Sequence, residues 1–320
     1  MKNLVKSLIV VGLLTFMNSC EYERYEDDFQ SVEPIEDLPY ITVDPNPDND
    51  PLTDGLENCE WSTAVDGKTI DYPIAQTFPD SIDLSSFMPP VGSQGSQGSC
   101  ASWATSYYLG SYLKNIENDS LIDSNTEILS SSFAFNQIKL GSGNCYGSSI
   151  NDNFELMKNI GTLPIEDFPI DISNCIIQPD SIQLVNAQDF KISSYESIGP
   201  YYSDTQPDII MPVMDEVKSA LIDGRPVIIS MMTDLHFGNV YDVENDIFII
   251  NEVVELIFKG CHAMTIVGYD DSLDAFKLIN SWGSNWANEG YIYLSYDFFR
   301  GSEDPDFKVG VSSLSIAFRD

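Results

Sequence analysis

The sequence contains few cationic side chains for its length. Its 320 residues include 15 Lys and Arg against 50 Asp and Glu, which gives a formal net charge of −35. Proteins that bind nucleic acids neutralise phosphates with clustered Lys and Arg, so this composition argues against nucleic acid as a partner. The same excess of negative charge argues against electrostatic binding to an anionic lipid surface.

Histidine and long apolar segments are also scarce. The chain has two histidines, His236 and His262, so histidine-dependent chemistry has only these two candidates. Beyond the first twenty residues no segment approaches eighteen uninterrupted apolar residues, and we expect no membrane-spanning helix there. The acidic segments lack the order of ligands found in a Ca²⁺ loop. We therefore expect neither a metal site nor a cofactor.

The first residues have the pattern of an export signal. Two lysines precede an apolar run over residues 8–17, which is too short to span a bilayer. The run is followed by Ser19 and Cys20, which resembles the lipid-attachment site of bacterial lipoproteins. We expect residues 1–19 to be a lipoprotein signal peptide and Cys20 to be lipidated, which would hold the exported protein in the cell envelope. An ordinary signal peptide cleaved nearby is the alternative.

The next segment is acidic and rich in proline. Acidic side chains crowd residues 21–57, and four prolines lie between Pro39 and Pro51. Such a composition buries too little apolar surface to offset the entropy of the chain. We expect residues 20–77 to form a flexible tether to a globular domain that begins at Phe78. The alternative is an inhibitory pro-region, although no long amphipathic helical pattern indicates one.

Helical patterns come first in the remaining chain, and strand patterns follow. The spacing of apolar residues predicts helices over residues 103–113, 129–140, 153–160 and 214–223, and strands over residues 225–232, 247–250, 253–258, 264–269, 276–280 and 290–295. Helices followed by strands favour an α+β fold.

A loop rich in Gly and Ser leads to a cysteine at the predicted start of a helix. Residues 90–104 read PVGSQGSQGSCASWA. A helix N-terminus carries unpaired N–H groups and partial positive charge, and both favour the thiolate of Cys100. Six residues earlier, the side-chain amide of Gln94 can stabilise a developing oxyanion together with the Cys100 N–H.

A second group of polar residues lies more than 160 residues downstream. His262 opens a predicted strand in the run GCHAMTIVGY, and Asn280 ends the next strand in the run NSWGSNW. Antiparallel neighbours bring such ends together, so Asn280 can orient the His262 imidazole and Trp282 can cover their hydrogen bond. No motif surrounds His236, which we interpret as a structural or surface residue.

Together these segments resemble the papain family of cysteine peptidases. Residues 94–100 are similar to the family's loop before the nucleophile, residues 262–263 to its His-Ala pair, and residues 280–286 to its Asn-Ser-Trp-Gly block. The three blocks occur in the family's order. The resemblance extends over about residues 78–320.

This resemblance implies a fold and a class of partner. The expected fold has a helical N-terminal lobe at about residues 78–190 and an antiparallel, β-barrel-like C-terminal lobe at about residues 191–320. The active site would lie in the cleft between the lobes. The expected partners are protein or peptide substrates, and we expect a monomer without a cofactor.

The resemblance also implies a role for each site residue. Cys100 would be the nucleophile and His262 its ion-pair partner, which protonates the leaving amine and activates water. Asn280 would hold the imidazole, and Gln94 would complete the oxyanion hole. The product would be released through hydrolysis of an acyl-enzyme intermediate.

The sequence departs from the family's pattern at several positions. Gln97 stands where a disulfide cysteine is usual, and Ala101 replaces the usual aromatic residue after the nucleophile. The separation of 162 residues between Cys100 and His262 exceeds the usual spacing of about 130–150, which predicts insertions.

The sequence also bears on the bonding of the other cysteines. Cys145 and Cys175 flank a plausible helix–loop excursion, and an exported protein can form disulfides, so we hypothesise a bridge between them. A buried free thiol is one interpretation of Cys261, and its pairing stays open. Cys59 has no assignment.

Two functions of other classes compete with the peptidase hypothesis. The first is a lipid-anchored binding protein on the same scaffold that has no catalytic activity. Such a protein would be expected to have lost Cys100, His262 or Asn280, and the sequence keeps all three. The second is a cell-wall amidase or acyltransferase with a Cys–His pair, which the block at residues 280–286 disfavours.

Overall fold

The computed structural model describes the following residues: 69–70, 72–116, 122, 127–140, 145, 147–198, 207–233, 241–242, 247–250, 260–300 and 311–319. Cys20, His236 and the strand expected at residues 253–258 lie outside these residues, so the predictions about them stay untested. Cys59, which had no assignment, lies outside them too. Within the described ranges, no helix combines the length and the apolar character that crossing a membrane requires.

A buried helix, α1, begins at Cys100, as predicted. It starts as an α-helical turn at Cys100–Ser102, continues as a π-helix at Trp103–Gly110 and ends as an α-helix at Ser111–Asn115. Every residue from 100 to 113 is buried. A helix that is buried all round lies in the interior of a protein, which places the start of α1 against other elements on every side.

Five further α-helices lie in the described ranges, besides two short 3-10 helices at Ser85–Phe87 and Gln188–Phe190. Three of them begin with a side chain that accepts hydrogen bonds from the first turn, namely Ser130, Ser149 and Asp180. Three confirm predicted helices, whereas α4, which carries a capping box, and α6 had not been predicted. The helices are α2 (Ser131–Ile138), α3 (Ile150–Asn159), α4 (Ser181–Ala187), α5 (Pro207–Ile222) and α6 (Tyr296–Arg300).

The strands confirm five of the six strand predictions. The described strands are β1 (Thr69–Ile70), β2 (Ser81–Asp83), β3 (Ser194–Ile198), β4 (Val227–Thr233), β5 (Tyr241–Asp242), β6 (Ile247–Ile250), β7 (Gly260–Asp270), β8 (Ala275–Ile279), β9 (Tyr291–Ser295) and β10 (Val311–Phe318). Strands β1, β2, β3, β5 and β10 had not been predicted. The sixth prediction, residues 253–258, is the one outside the described ranges.

The described strands form an open mixed sheet. Their order is β1-β3-β10-β4-β7-β8-β9-β6-β5, and β2 pairs with β7 off this path. Most pairs are antiparallel, but β1 with β3 and β6 with β9 are parallel. The expectation of a barrel-like sheet is therefore wrong for these strands. At one edge, β1 extends the sheet beyond β3 and does not return to β5, so the sheet does not close.

The described fold begins before Phe78. Strand β1 pairs with β3, and Tyr72 is buried with its hydroxyl donating to Asp223 at 2.9 Å. The Ala75 N–H donates to the Ser219 hydroxyl at 2.8 Å. The last residues of the segment expected to be a tether are thus attached to the sheet and to α5.

Helices cover both faces of the sheet at β7. Ala263 and Val267 belong to one apolar cluster with α1, whereas Met264 and Ile266 belong to another with α5 and α6. This alternation is the period of two that a strand imposes on its side chains. It places α1, which begins at Cys100, against the strand that carries His262.

Candidate active site

Backbone hydrogen bonds join the loop before α1 to the segment after β8. The Gln94 N–H donates to the Ser281 carbonyl at 2.8 Å, and the Gly283 N–H donates to the Gly92 carbonyl at 2.9 Å. Position 92 requires glycine, because a Cβ there would lie 2.0 Å from the Trp103 ring. The two sequence blocks that carry the candidate residues are therefore adjacent in space.

The imidazole of His262 is fixed by Asn280. Its Nε2 lies 2.7 Å from the Asn280 Oδ1, and both side chains are buried. The Ser281 N–H donates to the same oxygen at 2.7 Å. Because a carbonyl oxygen only accepts, Nε2 carries a proton in this arrangement, and Nδ1 is the nitrogen that can exchange a proton with a reacting group.

Trp282 covers this hydrogen bond, and Trp286 packs against Trp282. The Trp282 ring centroid lies 4.8 Å from that of His262, and the Trp286 ring packs edge-on against Trp282 at 5.1 Å. Aromatic cover lowers the local dielectric and strengthens the hydrogen bond to Asn280.

Cys100 keeps its thiol and is buried. It shares an apolar cluster with Ala263, the residue next to His262. Helix α1 and strand β7 are also joined directly, because the Thr265 hydroxyl donates to the Ala104 carbonyl at 3.3 Å. The first turn of α1 and the start of β7 are thus packed together, which brings the helix of Cys100 to the strand of His262.

The amide of Gln94 is held at both of its ends. Its Nε2 donates to the Gln97 carbonyl at 2.8 Å, and its Oε1 accepts from the Ser281 hydroxyl at 2.6 Å. The side chain is fully buried. A primary amide has two N–H groups, so one remains to stabilise an oxyanion after the bond to Gln97 is made.

Sequence reasoning missed Tyr108 as a residue of this site. Its hydroxyl donates to the Asn280 carbonyl at 2.8 Å and accepts from the Gly92 N–H at 3.1 Å. Burial raises the pKa of Tyr108 well above its ordinary value, so the hydroxyl stays neutral. The available signal was a tyrosine on a wholly buried helix, whose hydroxyl needs a partner.

The hypothesised bridge between Cys145 and Cys175 is present, with an S–S distance of 2.06 Å. Both bridged segments contact the loop before α1. The Gly98 N–H donates to the Cys145 carbonyl at 2.9 Å, and the Gln97 Nε2 donates to the Asp171 carbonyl at 3.4 Å. Gln97 thus attaches this loop by a hydrogen bond where a disulfide is usual.

The interpretation of Cys261 as a free thiol is wrong. Cys261 is disulfide-bonded, and its partner lies outside the described residues. Of the described cysteines, Cys145 and Cys175 pair with each other and Cys100 keeps its thiol. Among the described side chains, no group of three His, Cys, Asp or Glu is placed to hold a metal ion.

Comparisons with known proteins identify the family of the chain. Residues 78–302 match a family model described as papain family cysteine protease. Zingipain-2 from Zingiber officinale is 25% identical over 244 residues, which cover 74% of this chain and 95% of that protein. The gamete and mating-type specific protein A of Dictyostelium discoideum is 27% identical over 218 residues, but the chain spans only 42% of its length and the match covers 67% of this chain.

Solved structures show the same fold. The crystal structure of xylellain, a cysteine protease from Xylella fastidiosa, aligns with a TM-score of 0.59 at 20% identity, covering 79% of this chain and 92% of that one. A Carica candamarcensis cysteine protease in complex with E-64 aligns with a TM-score of 0.52 at 20% identity, covering 76% and 99%.

Proposed function

Since the chain belongs to the papain family of cysteine proteases, we propose that it hydrolyses peptide bonds with Cys100 as nucleophile and His262 as acid–base partner. The observation that carries this proposal is the 2.7 Å contact between His262 Nε2 and Asn280 Oδ1, because it fixes the imidazole on a strand packed against the helix of Cys100.

In the first half of the reaction, the Cys100 thiolate attacks the carbonyl carbon of the scissile peptide bond. The negative charge that develops on the carbonyl oxygen is stabilised by the Cys100 N–H and the remaining N–H of Gln94. His262 donates its Nδ1 proton to the leaving amine, and a thioester to Cys100 remains.

In the second half, a water molecule replaces the amine. His262, now neutral at Nδ1, accepts a proton from this water as it attacks the thioester carbonyl. The same two N–H groups stabilise the second oxyanion, and collapse releases the carboxylic acid and restores the thiolate with a protonated His262. Asn280 holds Nε2 throughout, so the ring does not rotate between the two steps.

The substrate would lie in a cleft between a helical part at about residues 78–190 and a strand-rich part at about residues 191–320. The origin of the site residues supports this division, because Gln94 and Cys100 come from the first part and His262 and Asn280 from the second. A two-lobe arrangement would let an extended peptide contact all four groups at once.

The test compares the wild-type chain with Cys100→Ala. We expect the variant to lose hydrolysis of fluorogenic peptides and labelling by an epoxide or vinyl-sulfone thiol trap. The neighbouring Ser99→Ala is a matched control, because the buried Ser99 hydroxyl has no hydrogen-bond partner among the described residues. Hydrolysis by Cys100→Ala would reject the assignment. An unreactive Cys100 would favour a binding protein, and turnover of peptidoglycan fragments alone would favour an amidase.

We further propose that the enzyme is exported, lipidated at Cys20 and anchored in the cell envelope as a monomer, with much of residues 20–77 as its tether. The apolar run before Cys20 and the acidic, proline-rich composition after it support this proposal. Partition of the wild-type protein into detergent, and of Cys20→Ala into the aqueous phase, is the expected result. Equal partition of the two proteins would contradict lipidation.

A further inference from the structure

A cavity of about 250 Å³ opens on the helical part of the protein, and its lining includes none of the residues assigned to catalysis. It lies between α2, α4 and the segment that joins α3 to α4. Its described lining residues are Asn136, Phe168, Pro169, Asp171, Ile177 and Gln183.

The cavity combines an apolar wall with one carboxylate. Phe168, Pro169 and Ile177 supply the apolar surface. Asp171 accepts hydrogen bonds from the hydroxyl of Ser173 at 2.6 Å and from its N–H at 2.9 Å. These bonds lower the pKa of Asp171, so the carboxylate is charged at neutral pH. Among the described residues, no Lys or Arg forms an ion pair with it.

The cavity wall also contains a buried amide whose oxygen accepts no hydrogen bond within the described part of the chain. Asn136 is 2% exposed, and its Nδ2 donates to the Ile177 carbonyl at 2.9 Å. Its Oδ1 accepts no hydrogen bond from any described residue. A buried acceptor without a donor is destabilising. This oxygen has almost no accessible surface, so the amide contributes to the wall but does not contact a group inside the cavity.

The chain around the cavity is rich in carboxylates and carries several exposed aliphatic side chains. Residues 161–190 contain five Asp and Glu and no Lys, Arg or His. Lys139, which borders the cavity, donates its ammonium to the Asn136 carbonyl at 2.8 Å. Several aliphatic side chains in the same stretch are largely exposed: Ile172, Ile176, Ile177, Ile182 and Val185. This surface complements a cationic group on an apolar stem.

We propose that this cavity is a subsite for an arginine or lysine side chain of the polypeptide substrate, held away from the scissile bond. The aliphatic stem packs against Phe168 and Ile177, while the charged end meets Asp171. Arginine fits better than lysine, because its planar guanidinium can donate two parallel hydrogen bonds to the Asp171 carboxylate. The identity of the occupant as substrate rests on the proposed peptidase function.

The wall of the cavity is hydrogen-bonded to the catalytic loop. The Asp171 carbonyl accepts from Gln97, whose own carbonyl accepts from the Gln94 amide. The next residue, Ile172, packs over Gly95, where a Cβ would lie 3.0 Å from its Cδ1. A substrate segment bound at Asp171 is thus connected through two hydrogen bonds to the amide proposed to stabilise the oxyanion.

Binding is tested with the full chain carrying Cys100→Ala, so that no hydrolysis occurs. The probe is a fluorescein-labelled peptide of alternating Arg and Leu, measured by anisotropy. Adding Asp171→Asn is expected to raise the Kd about threefold to fivefold, as expected for one partly exposed ion pair. Asp189→Asn is the matched control, because it removes an exposed carboxylate of the same stretch that does not line the cavity.

The location is tested with a benzophenone-bearing version of the same peptide. Cross-links to residues 164–183 that Asp171→Asn reduces would support the subsite. The subsite would be overturned if Asp171→Asn and Asp189→Asn had the same Kd. It would also be overturned if the cross-links were confined to residues 90–104 and 260–290.

A parallel assay of the wild-type chain on short fluorogenic peptides separates the two proposals. If the wild-type chain hydrolyses the peptides but the Kd does not depend on Asp171, the subsite alone is rejected. If the Kd depends on Asp171 but the wild-type chain hydrolyses none of the peptides, the peptidase function is rejected. The occupant's role as a substrate is then rejected with it.

Discussion

The hydroxyl of Tyr108 donates to the backbone carbonyl of Asn280 at 2.8 Å, which joins α1 to the residue that orients the candidate catalytic histidine. The same hydroxyl accepts from the Gly92 N–H at 3.1 Å. One buried atom therefore connects the helix of Cys100, the end of β8 and the loop that leads to Gln94. This hydroxyl thus holds the backbone of the residue whose side chain holds His262.

Replacing this hydroxyl tests the connection. We expect Tyr108→Phe to lower the free energy of unfolding by about 1–3 kcal/mol, because the Asn280 carbonyl and the Gly92 N–H are left buried without a partner. The value of kcat should fall more than KM rises. Denaturant unfolding and steady-state kinetics measure the two effects.

Tyr107→Phe is the control for this variant. The Tyr107 hydroxyl donates to the Pro90 carbonyl at 2.8 Å and does not contact Asn280. Its loss should reduce stability while leaving kcat close to the wild-type value. Equal loss of kcat in both variants would show that the effect of Tyr108 is only structural.

The hydroxyl of Ser281 is predicted to position the Gln94 amide. Gln94→Ala should lower kcat about 10²–10³-fold through loss of an oxyanion donor. Ser281→Ala should lower it less, because Gln94 keeps its bond to the Gln97 carbonyl. Alkylation of Cys100 by iodoacetamide forms no oxyanion, so its rate should be unchanged in both variants. A slower alkylation would indicate damage to the thiolate.

The Cys145–Cys175 bridge should stabilise both the fold and the catalytic loop. It closes a separation of 30 residues, for which chain-entropy arguments give about 3–4 kcal/mol. The double variant Cys145→Ser with Cys175→Ser should lose stability of this order in denaturant unfolding. Hydrolysis should also slow, because Gly98 and Gln97 are bound to the two bridged segments. Unchanged kcat with reduced stability would leave the bridge with a folding role alone.

Residues before Phe78 are predicted to contribute to stability. Tyr72→Ala should lower the free energy of unfolding by about 3–5 kcal/mol, as for other large buried side chains. Tyr72→Phe should lower it by about 1 kcal/mol, because only the hydrogen bond to Asp223 is lost. Thermal and denaturant unfolding of the full chain measure both. If Tyr72→Ala were no less stable than Tyr72→Phe, the packing of this segment would not contribute to the fold.

Several tyrosines should make the fold sensitive to alkali. Burial, with the hydrogen bond to Asp223, raises the pKa of Tyr72 from 10.0 to about 12, and burial raises that of Tyr107 to about 12. A group whose pKa is raised on folding stabilises the folded state fully at a pH below its pKa in the unfolded chain. This contribution is lost as the pH rises to its pKa in the folded state. The free energy of unfolding should therefore fall between about pH 10 and pH 12, and Tyr72→Phe should show a smaller fall. A pH-independent stability over this range would contradict the prediction.

The candidate site was predictable because its signals are local. A glycine-rich loop before Cys100 and the Asn280–Trp286 block indicate candidate reactive side chains from their neighbours alone. The helices and strands around them followed from apolar periodicity. Strand β10 had no such identified signal, and β1 is two residues long, so neither was predicted. Whether a sheet closes depends on edge pairings such as β1 with β3, between residues far apart in sequence.

By itself, the sequence determined which chemical groups the site has, because side-chain identity and the loops that present Cys100 and His262 are properties of short segments. The tertiary structure alone decided which groups meet. It joined Tyr108 to Asn280, Ser281 to Gln94 and Asp171 to Gln97. Such pairs form only when distant segments pack, since the geometry of each hydrogen bond depends on every element that positions its two ends.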